Sequence, residues 1–296
     1  MAIRNVALVD CTTRIDFKLI NKVANAISRQ VANELAEEWG HTGAVIAIGQ
    51  DDPLPAGYSA VNLYDKLDER GLGGIHYYTD RGEAYANVST SIPHWSLATS
   101  HEVLEIICDP TTDWKIEAPS INDPNEMVEY LVEVSDPCQH YNYSYDIDGV
   151  VVSDFYLRNY FDASGPKPGV YSYNEKLTRP LQILPGGYLS WRKLSGQWYR
   201  GTSNDSGKRV ISPIPGFIDL PGDSIRERMD FHSSKLTNTG YFCDTGPKGR
   251  KLTKMRDAEL AAQKAHTKKA AAYRKAERER HMEEIRRRLK EHAEKS

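Results

Sequence analysis

Residues 100 to 110, Ser-His-Glu-Val-Leu-Glu-Ile-Ile-Cys-Asp-Pro, contain the spacing best suited to metal chemistry. His101 and Glu105 are four positions apart, so on an α-helix their side chains lie on one face, one turn apart, where both can bind the same cation. Asp109 extends this row by another turn, and Glu102 projects to its side. The pattern predicts a metal site with His101, Glu105 and Asp109 as candidate ligands.

The remaining ligand has to come from another segment, because a catalytic zinc needs three protein ligands and one open position. Residues 124 to 134 are predicted as a second helix, since Pro124 suits a first turn and acidic residues suit the positive end of the helix dipole. Glu133 and Asp136 have a spacing that places one to bind the cation and the other to orient His101. Glu133 is the predicted third ligand, with Asp136 as the alternative.

The pattern His101-Glu102-x-x-Glu105 resembles the zincin metallopeptidases, in particular the gluzincins, in which a helix with HExxH precedes a second helix that provides a glutamate ligand. This resemblance implies a metallopeptidase-like hydrolase in which Glu102 is the general base for metal-activated water that attacks a peptide bond. Glu105 stands where the family has its second histidine. Zinc is the first choice of cation because of His101, but the extra carboxylate also suits Mn, Ca or Mg.

A second resemblance covers about residues 95 to 165. The helix motif with Asp109-Pro110 is followed by an acidic segment ending at Cys138, then by Asp148-Gly149-Val150 and an aromatic-rich stretch at 155–161. This order is similar to that of plant phosphate-induced proteins and related uncharacterised bacterial proteins. The similarity supports a metal site more than a particular activity.

The flanking sequence predicts the elements that position these residues. Residues 3–9 predict a strand, and apolar residues at three- and four-residue steps from Phe17 to Leu35 predict an amphipathic helix that ends near Gly40. Trp95 to Cys108 lacks Gly and Pro and predicts the metal-site helix. Further strands are predicted at 44–48, 61–64, 75–78 and 85–88.

The predicted fold class is α+β, with three parts. Residues 1–165 form a zincin-like domain whose metal-site helix packs on a mixed sheet, residues 166–247 a loop-rich β extension, and residues 248–296 a long basic helix. A peptide or protein substrate is expected to bind along the strand at 83–88.

Two histidines and the cysteines complete the list of candidates. His76 lies in a strand-like run and His94 directly precedes the metal-site helix, but a structural role is favoured for both because nothing fixes their spacing. The four cysteines form no CxxC pair and are expected to be buried thiols, with Cys138 next to the acidic segment.

The charge distribution suggests a second class of function. The net charge is -3, yet residues 248–296 contain 17 Lys and Arg against 8 Asp and Glu. This helix would bind a protein or nucleic-acid partner if it is functional. The alternative hypothesis is therefore a non-catalytic structural or assembly protein that has a degenerate metal site and a basic interaction helix.

No apolar run approaches the roughly 18 residues that span a bilayer, and the start of the chain does not match a signal peptide. The sequence analysis therefore predicts a cytoplasmic protein without a membrane partner.

Overall fold

The structure is a computed structural model of the chain, and it describes residues 2–67, 73–78, 83–220, 225, 228 and 229. Three α-helices and fourteen strands are present in these residues, with a short π-helical segment, Val31–Leu35, between the first two helices. The helices are α1 Phe17–Gln30, α2 Ala36–Trp39 and α3 Trp95–Cys108. The strands are β1 Ala2–Ile3, β2 Asn5–Cys11, β3 His41–Thr42, β4 Val45–Gly49, β5 Tyr58–Tyr64, β6 Gly74–Tyr78, β7 Ala84–Ser89, β8 Lys115–Pro119, β9 Met127–Leu131, β10 Tyr145–Ile147, β11 Val150–Val152, β12 Tyr188–Lys193, β13 Trp198–Ser203 and β14 Arg209–Ile214.

The first large sheet is mixed and has the strand order β4-β2-β5-β7-β6. Its strands are parallel except β6, which is antiparallel to β7 and lies at the edge. Consecutive residues Val6, Ala7 and Leu8 of β2 are fully buried. Both faces of this strand are therefore covered, as is usual for the central strands of parallel sheets.

The predicted amphipathic helix is confirmed as α1 with its continuation into α2. The side chain of Asp16 caps the helix by accepting a hydrogen bond from the backbone N–H of Lys18. Ile20, Val23 and Ile27 are buried, as their spacing predicts, whereas Phe17 remains 40% exposed. Gly40 ends α2 with a φ of 68°, a left-handed conformation that glycine adopts without a Cβ penalty.

The helix predicted to carry the metal site is α3, and it has the predicted bounds, Trp95–Cys108. Every residue from Leu97 to Cys108 is buried, because the helix packs against β5, β6 and β7 as well as against α1 and β11. The guanidinium of Arg4 donates hydrogen bonds to the carbonyls of Ile107 and Cys108 at the C-terminal end. These contacts satisfy carbonyls that a helix terminus leaves unpaired and place a positive charge at the negative end of the dipole.

The second large sheet is antiparallel, with the order β14-β13-β12-β9-β8. The helix predicted for residues 124–134 is wrong, because the middle of that segment, Met127–Leu131, forms β9. Val128 and Tyr130 are buried while Met127 is exposed and Glu129 is half-buried, an alternation with the period of a strand. Pro124 belongs to the turn between β8 and β9, so it does not begin a helix.

The chain is an α+β protein, and its second sheet crosses the predicted boundary at residue 165. Strand β12 of the predicted extension pairs with β9 of the predicted first domain. The basic helix predicted for residues 248–296 lies outside the described residues. Among the described residues, no helix has both the length and the apolar character needed to cross a membrane.

Candidate metal centre

The structure brings His101, Glu105 and Asp136 into one group. The Nε2 atom of His101 lies 3.1 Å from Oε1 of Glu105 and 3.3 Å from Oδ1 of Asp136, and each of the three residues is about 1% exposed. Two ligand atoms that each lie about 2.1 Å from a tetrahedral cation are about 3.4 Å apart. The spacing of the imidazole nitrogen and the two carboxylate oxygens therefore fits a shared cation.

Asp136 is the first residue of a single 3₁₀ turn, Asp136–Cys138, that follows β9. The segment that precedes β12 holds this turn in place. The backbone N–H of Leu184 donates to the carbonyl of Pro137, and the side chain of Gln139 donates to the carbonyl of Gly186. A Cβ atom on Gly187 would lie 2.4 Å from the Pro137 carbonyl oxygen, so only glycine permits this approach.

A second group, His76 with Glu102 and Glu105, lies beside the first. The Nδ1 atom of His76 is 3.5 Å from Oε2 of Glu102 and 3.5 Å from Oε2 of Glu105, and His76 and Glu102 are also about 1% exposed. His76 reaches α3 from the edge strand β6. Glu105 thus belongs to both groups, with one carboxylate oxygen towards each histidine.

The charges of the first group act on each other strongly. Burial alone would lower the pKa of His101, but the charge of Glu105 and hydrogen bonding with Asp136 and Glu105 raise it well above the usual value. Burial and the charge of Glu105 raise the pKa of Asp136, although His101 and a hydrogen bond from Tyr188 oppose this shift. The buried carboxylates of Glu105 and Asp136 therefore share the single positive charge that a protonated His101 can supply.

Two predicted ligands lie outside both groups. Glu133 is buried, 3% exposed, in the segment between β9 and the 3₁₀ turn. Asp109 is the C-terminal cap residue of α3, where its carboxylate accepts hydrogen bonds from the backbone N–H of Trp114 and the hydroxyl of Thr111. Burial raises the pKa of Asp109, although the hydrogen bonds from Trp114 and Thr111 and the charge of His76 partly oppose this shift. Asp109 therefore supports the end of the helix and lies within electrostatic reach of the second group.

His94 has the structural environment that the sequence analysis favours. It precedes α3 with a φ of 57°, and its ring stacks on Tyr141 with centroids 3.9 Å apart.

Burial raises the pKa of both Cys108 and Cys138 well above the usual value, so these thiols are protonated near neutral pH. Neither cysteine belongs to a metal-binding group among the described residues.

The sequence pattern favours a structural role for His76, whereas the structure places its ring beside Glu102 and Glu105. The contact of His76 with α3 depends on the order of β6 and β7, because β6 occupies the sheet edge and pairs with β7 in antiparallel orientation. No residue spacing around His76 indicates this order of strands. The one local signal is Gly74, where a Cβ atom would lie 2.6 Å from Oε1 of Glu102.

No family model, curated protein or solved structure matches this chain. The support for a metal centre therefore comes from the residues of the two groups and the distances between them.

Proposed function

We propose that this protein is a metal-dependent hydrolase of the zincin metallopeptidase type, with a divalent cation held by His101, Glu105 and Asp136. One observation carries the proposal: the carboxylates of Glu105 and Asp136, from two separate elements, lie within 3.3 Å of the His101 imidazole, in a buried position. Zinc is the first choice because of the imidazole, and the carboxylates also suit Mn²⁺.

The order of elements supports the zincin-like interpretation of the fold. A mixed sheet formed by the first part of the chain precedes α3, which carries His101, Glu102 and Glu105 in the order of the HExxH motif. In the zincin resemblance, a strand beside this helix lines the cleft. The antiparallel edge strand β6, which contacts α3, is our candidate for this strand.

The sheet topology changes the predicted position of the substrate. The strand predicted to bind a peptide, 83–88, corresponds to β7, which is hydrogen-bonded to β5 on one side and to β6 on the other. That prediction is wrong, because β7 offers no free edge. Among the described strands, β6 pairs only with β7, so we place an extended peptide along the outer edge of β6.

The chain's own residues account for the acid–base chemistry. When bound, the cation would supply Lewis acidity, which polarises a peptide carbonyl and lowers the pKa of a water molecule. Both carboxylate oxygens of Glu102 are buried and accept no hydrogen bond within the described part of the chain. Glu102 is therefore placed to take a proton from the attacking water and to deliver it to the leaving amine. The cation that orients the carbonyl would be held by His101, Glu105 and Asp136.

Metal analysis combined with one substitution tests the proposal. Protein expressed with added zinc and analysed by inductively coupled plasma mass spectrometry should retain at least one equivalent of cation. Glu102→Gln should lower peptide hydrolysis by at least about 100-fold while the His101 group keeps its cation. Glu117→Gln, on the exposed side of β8, is the matched control and should leave both unchanged. Less than about a tenth of an equivalent of any divalent cation would contradict the proposal.

The burial of the site favours a second candidate, a structural cation that stabilises the fold without catalysis. His76, His101, Glu102, Glu105 and Asp136 are all about 1% exposed, which is typical of closed structural sites. In that case chelation lowers the unfolding temperature, yet neither the wild type nor Glu102→Gln hydrolyses any peptide of a mixed library. The assembly role predicted for the basic tail concerns residues outside the described part of the chain.

A further inference from the structure

We infer that the centre holds two divalent cations, with Glu105 as the bridging ligand and His76 and Glu102 as the other protein ligands of the second cation. The inference rests on the proposed function for its first cation, at His101, Glu105 and Asp136. It adds a second position, which the sequence pattern does not indicate.

The distances of the second group fit coordination better than hydrogen bonding. The Nδ1 atom of His76 lies 3.5 Å from Oε2 of both Glu102 and Glu105. A hydrogen bond between an imidazole nitrogen and a carboxylate oxygen is usually about 2.9 Å long. Ligand atoms around a tetrahedral cation are about 3.4 Å apart, given bonds of about 2.1 Å.

Glu105 is oriented to bridge. Its Oε1 atom faces Nε2 of His101, and its Oε2 atom faces Nδ1 of His76. A carboxylate that uses one oxygen for each of two cations suits their separation in two-metal hydrolytic sites, about 3.5 to 4 Å. The side chain is about 1% exposed, so water has little access to replace either contact.

Glu102 provides an independent observation. It is about 1% exposed, and neither of its carboxylate oxygens accepts a hydrogen bond within the described residues. A buried carboxylate in this state is costly unless a cation compensates its charge. The side chain of Glu102 fits only because residue 74 is glycine, since a Cβ atom there would lie 2.6 Å from Oε1 and 2.9 Å from Cγ of Glu102.

The charge of the site is compatible with two cations. When ionised, Glu102, Glu105 and Asp136 carry three negative charges, while His76 and His101 are neutral when they act as ligands. One divalent cation would leave a net charge of -1 in this buried site and two would leave +1, which a bound hydroxide ion would neutralise. In this arrangement Oε2 of Glu102 is a ligand, and Oε1, the oxygen near β6, remains to accept a proton.

The test uses the full chain, stripped of metal with a chelator and reloaded with Mn²⁺ alone. Bound manganese per chain is measured after gel filtration, and electron paramagnetic resonance reports whether neighbouring ions are spin-coupled. We expect two equivalents with a coupled spectrum for the wild type. His76→Gln, which retains a polar side chain, should bind one equivalent with an uncoupled spectrum. His140→Gln, at a partly exposed histidine outside both groups, is the control and should match the wild type.

Each result separates this inference from the proposed function. One equivalent in the wild type, unchanged by His76→Gln and lost in His101→Gln, would overturn the second cation and leave the first in place. Two equivalents without spin coupling would overturn the Glu105 bridge. The absence of bound metal would overturn both proposals. If His76→Gln has lost its native circular dichroism spectrum, Gly74→Ala is measured instead, because it displaces Glu102 without removing a ligand.

Discussion

The imidazole of His101 and the carboxylate of Asp136 approach to 3.3 Å although they belong to different parts of the fold. His101 lies on a helix that packs on the first sheet, and Asp136 lies in a turn that follows a strand of the second sheet. The relative position of the two sheets therefore sets the geometry of the proposed cation site. Mutations far from the site should affect it when they displace either sheet.

The first prediction concerns Asp136 as a ligand. Asp136→Asn keeps the shape of the side chain but removes its charge, so the affinity for Zn²⁺ should fall by at least about 100-fold, more than the loss of an outer-sphere contact. Competition with a chromophoric chelator measures the affinity. Glu129→Gln changes a carboxylate that pairs with Arg192 on the second sheet and should leave the affinity unchanged. Equal affinities for both variants would show that Asp136 is not a ligand.

The second prediction concerns the turn that positions Asp136. Gly187→Ala should lower both the unfolding temperature and the zinc affinity, because its Cβ atom would meet the backbone oxygens of Pro137 and Asp136 at 2.4 and 2.8 Å. Differential scanning calorimetry and chelator competition measure the two effects. Gly49→Ala is the control, since its nearest neighbour is the exposed side chain of Asp52 at 3.1 Å. Wild-type affinity in Gly187→Ala would mean that the turn does not set the ligand position.

The third prediction concerns the C-terminal end of α3. Arg4→Met should lower the free energy of unfolding by about 1 to 3 kcal/mol, because two carbonyls of the helix end lose a charged donor. Urea denaturation measures this change. Arg179→Met removes an exposed arginine elsewhere and is expected to have an effect below about 0.5 kcal/mol. Equal stabilities of the two variants would argue against a role of Arg4 in holding the helix.

The fourth prediction concerns the pH dependence of stability. Burial raises the pKa of Asp154 from 3.8 to about 7, although backbone N–H groups of Asn174 and Phe155 partly oppose the shift. A raised folded-state pKa means that the folded protein holds this proton more tightly than the unfolded chain. The free energy of unfolding should therefore fall as the pH rises from about 4 to about 7, by an amount on the order of 4 kcal/mol.

Asp154→Asn tests this prediction, because the amide oxygen can still accept the two backbone hydrogen bonds while the side chain no longer titrates. Its free energy of unfolding should vary less with pH between 4 and 8 than that of the wild type. Urea denaturation at several pH values provides the comparison. Asp146→Asn, at a partly exposed position, should keep the wild-type dependence. A parallel pH profile for Asp154→Asn and the wild type would refute the assignment.

Local signals in the sequence predicted the elements around the site well. The bounds of α3 follow from the lack of Gly and Pro between Trp95 and Cys108, and Gly40 marks the end of α2. The approach of His101 to Glu105 follows from helix geometry. These features depend only on residues that are close together in the chain.

The features that the sequence could not predict depend on contacts between distant segments. Acidic residues near Pro124 favour a helix locally, but Tyr130 of β9 is buried between partners on β8 and β12, and this packing outweighs the local preference. The approach of Asp136 to His101 depends on the turn after β9. The approach of His76 depends on which strand occupies the sheet edge.

The pairing of β12 with β9 has a consequence for any shortened form of the protein. A fragment that stops at residue 165 would lack three of the five strands of the second sheet and would expose the edge of β9 that pairs with β12 at residues 128–130. Exposed strand backbones pair readily with those of other molecules. Such a fragment should therefore self-associate and should not fold as a smaller independent domain. The proposed centre should need the residues on both sides of this cut.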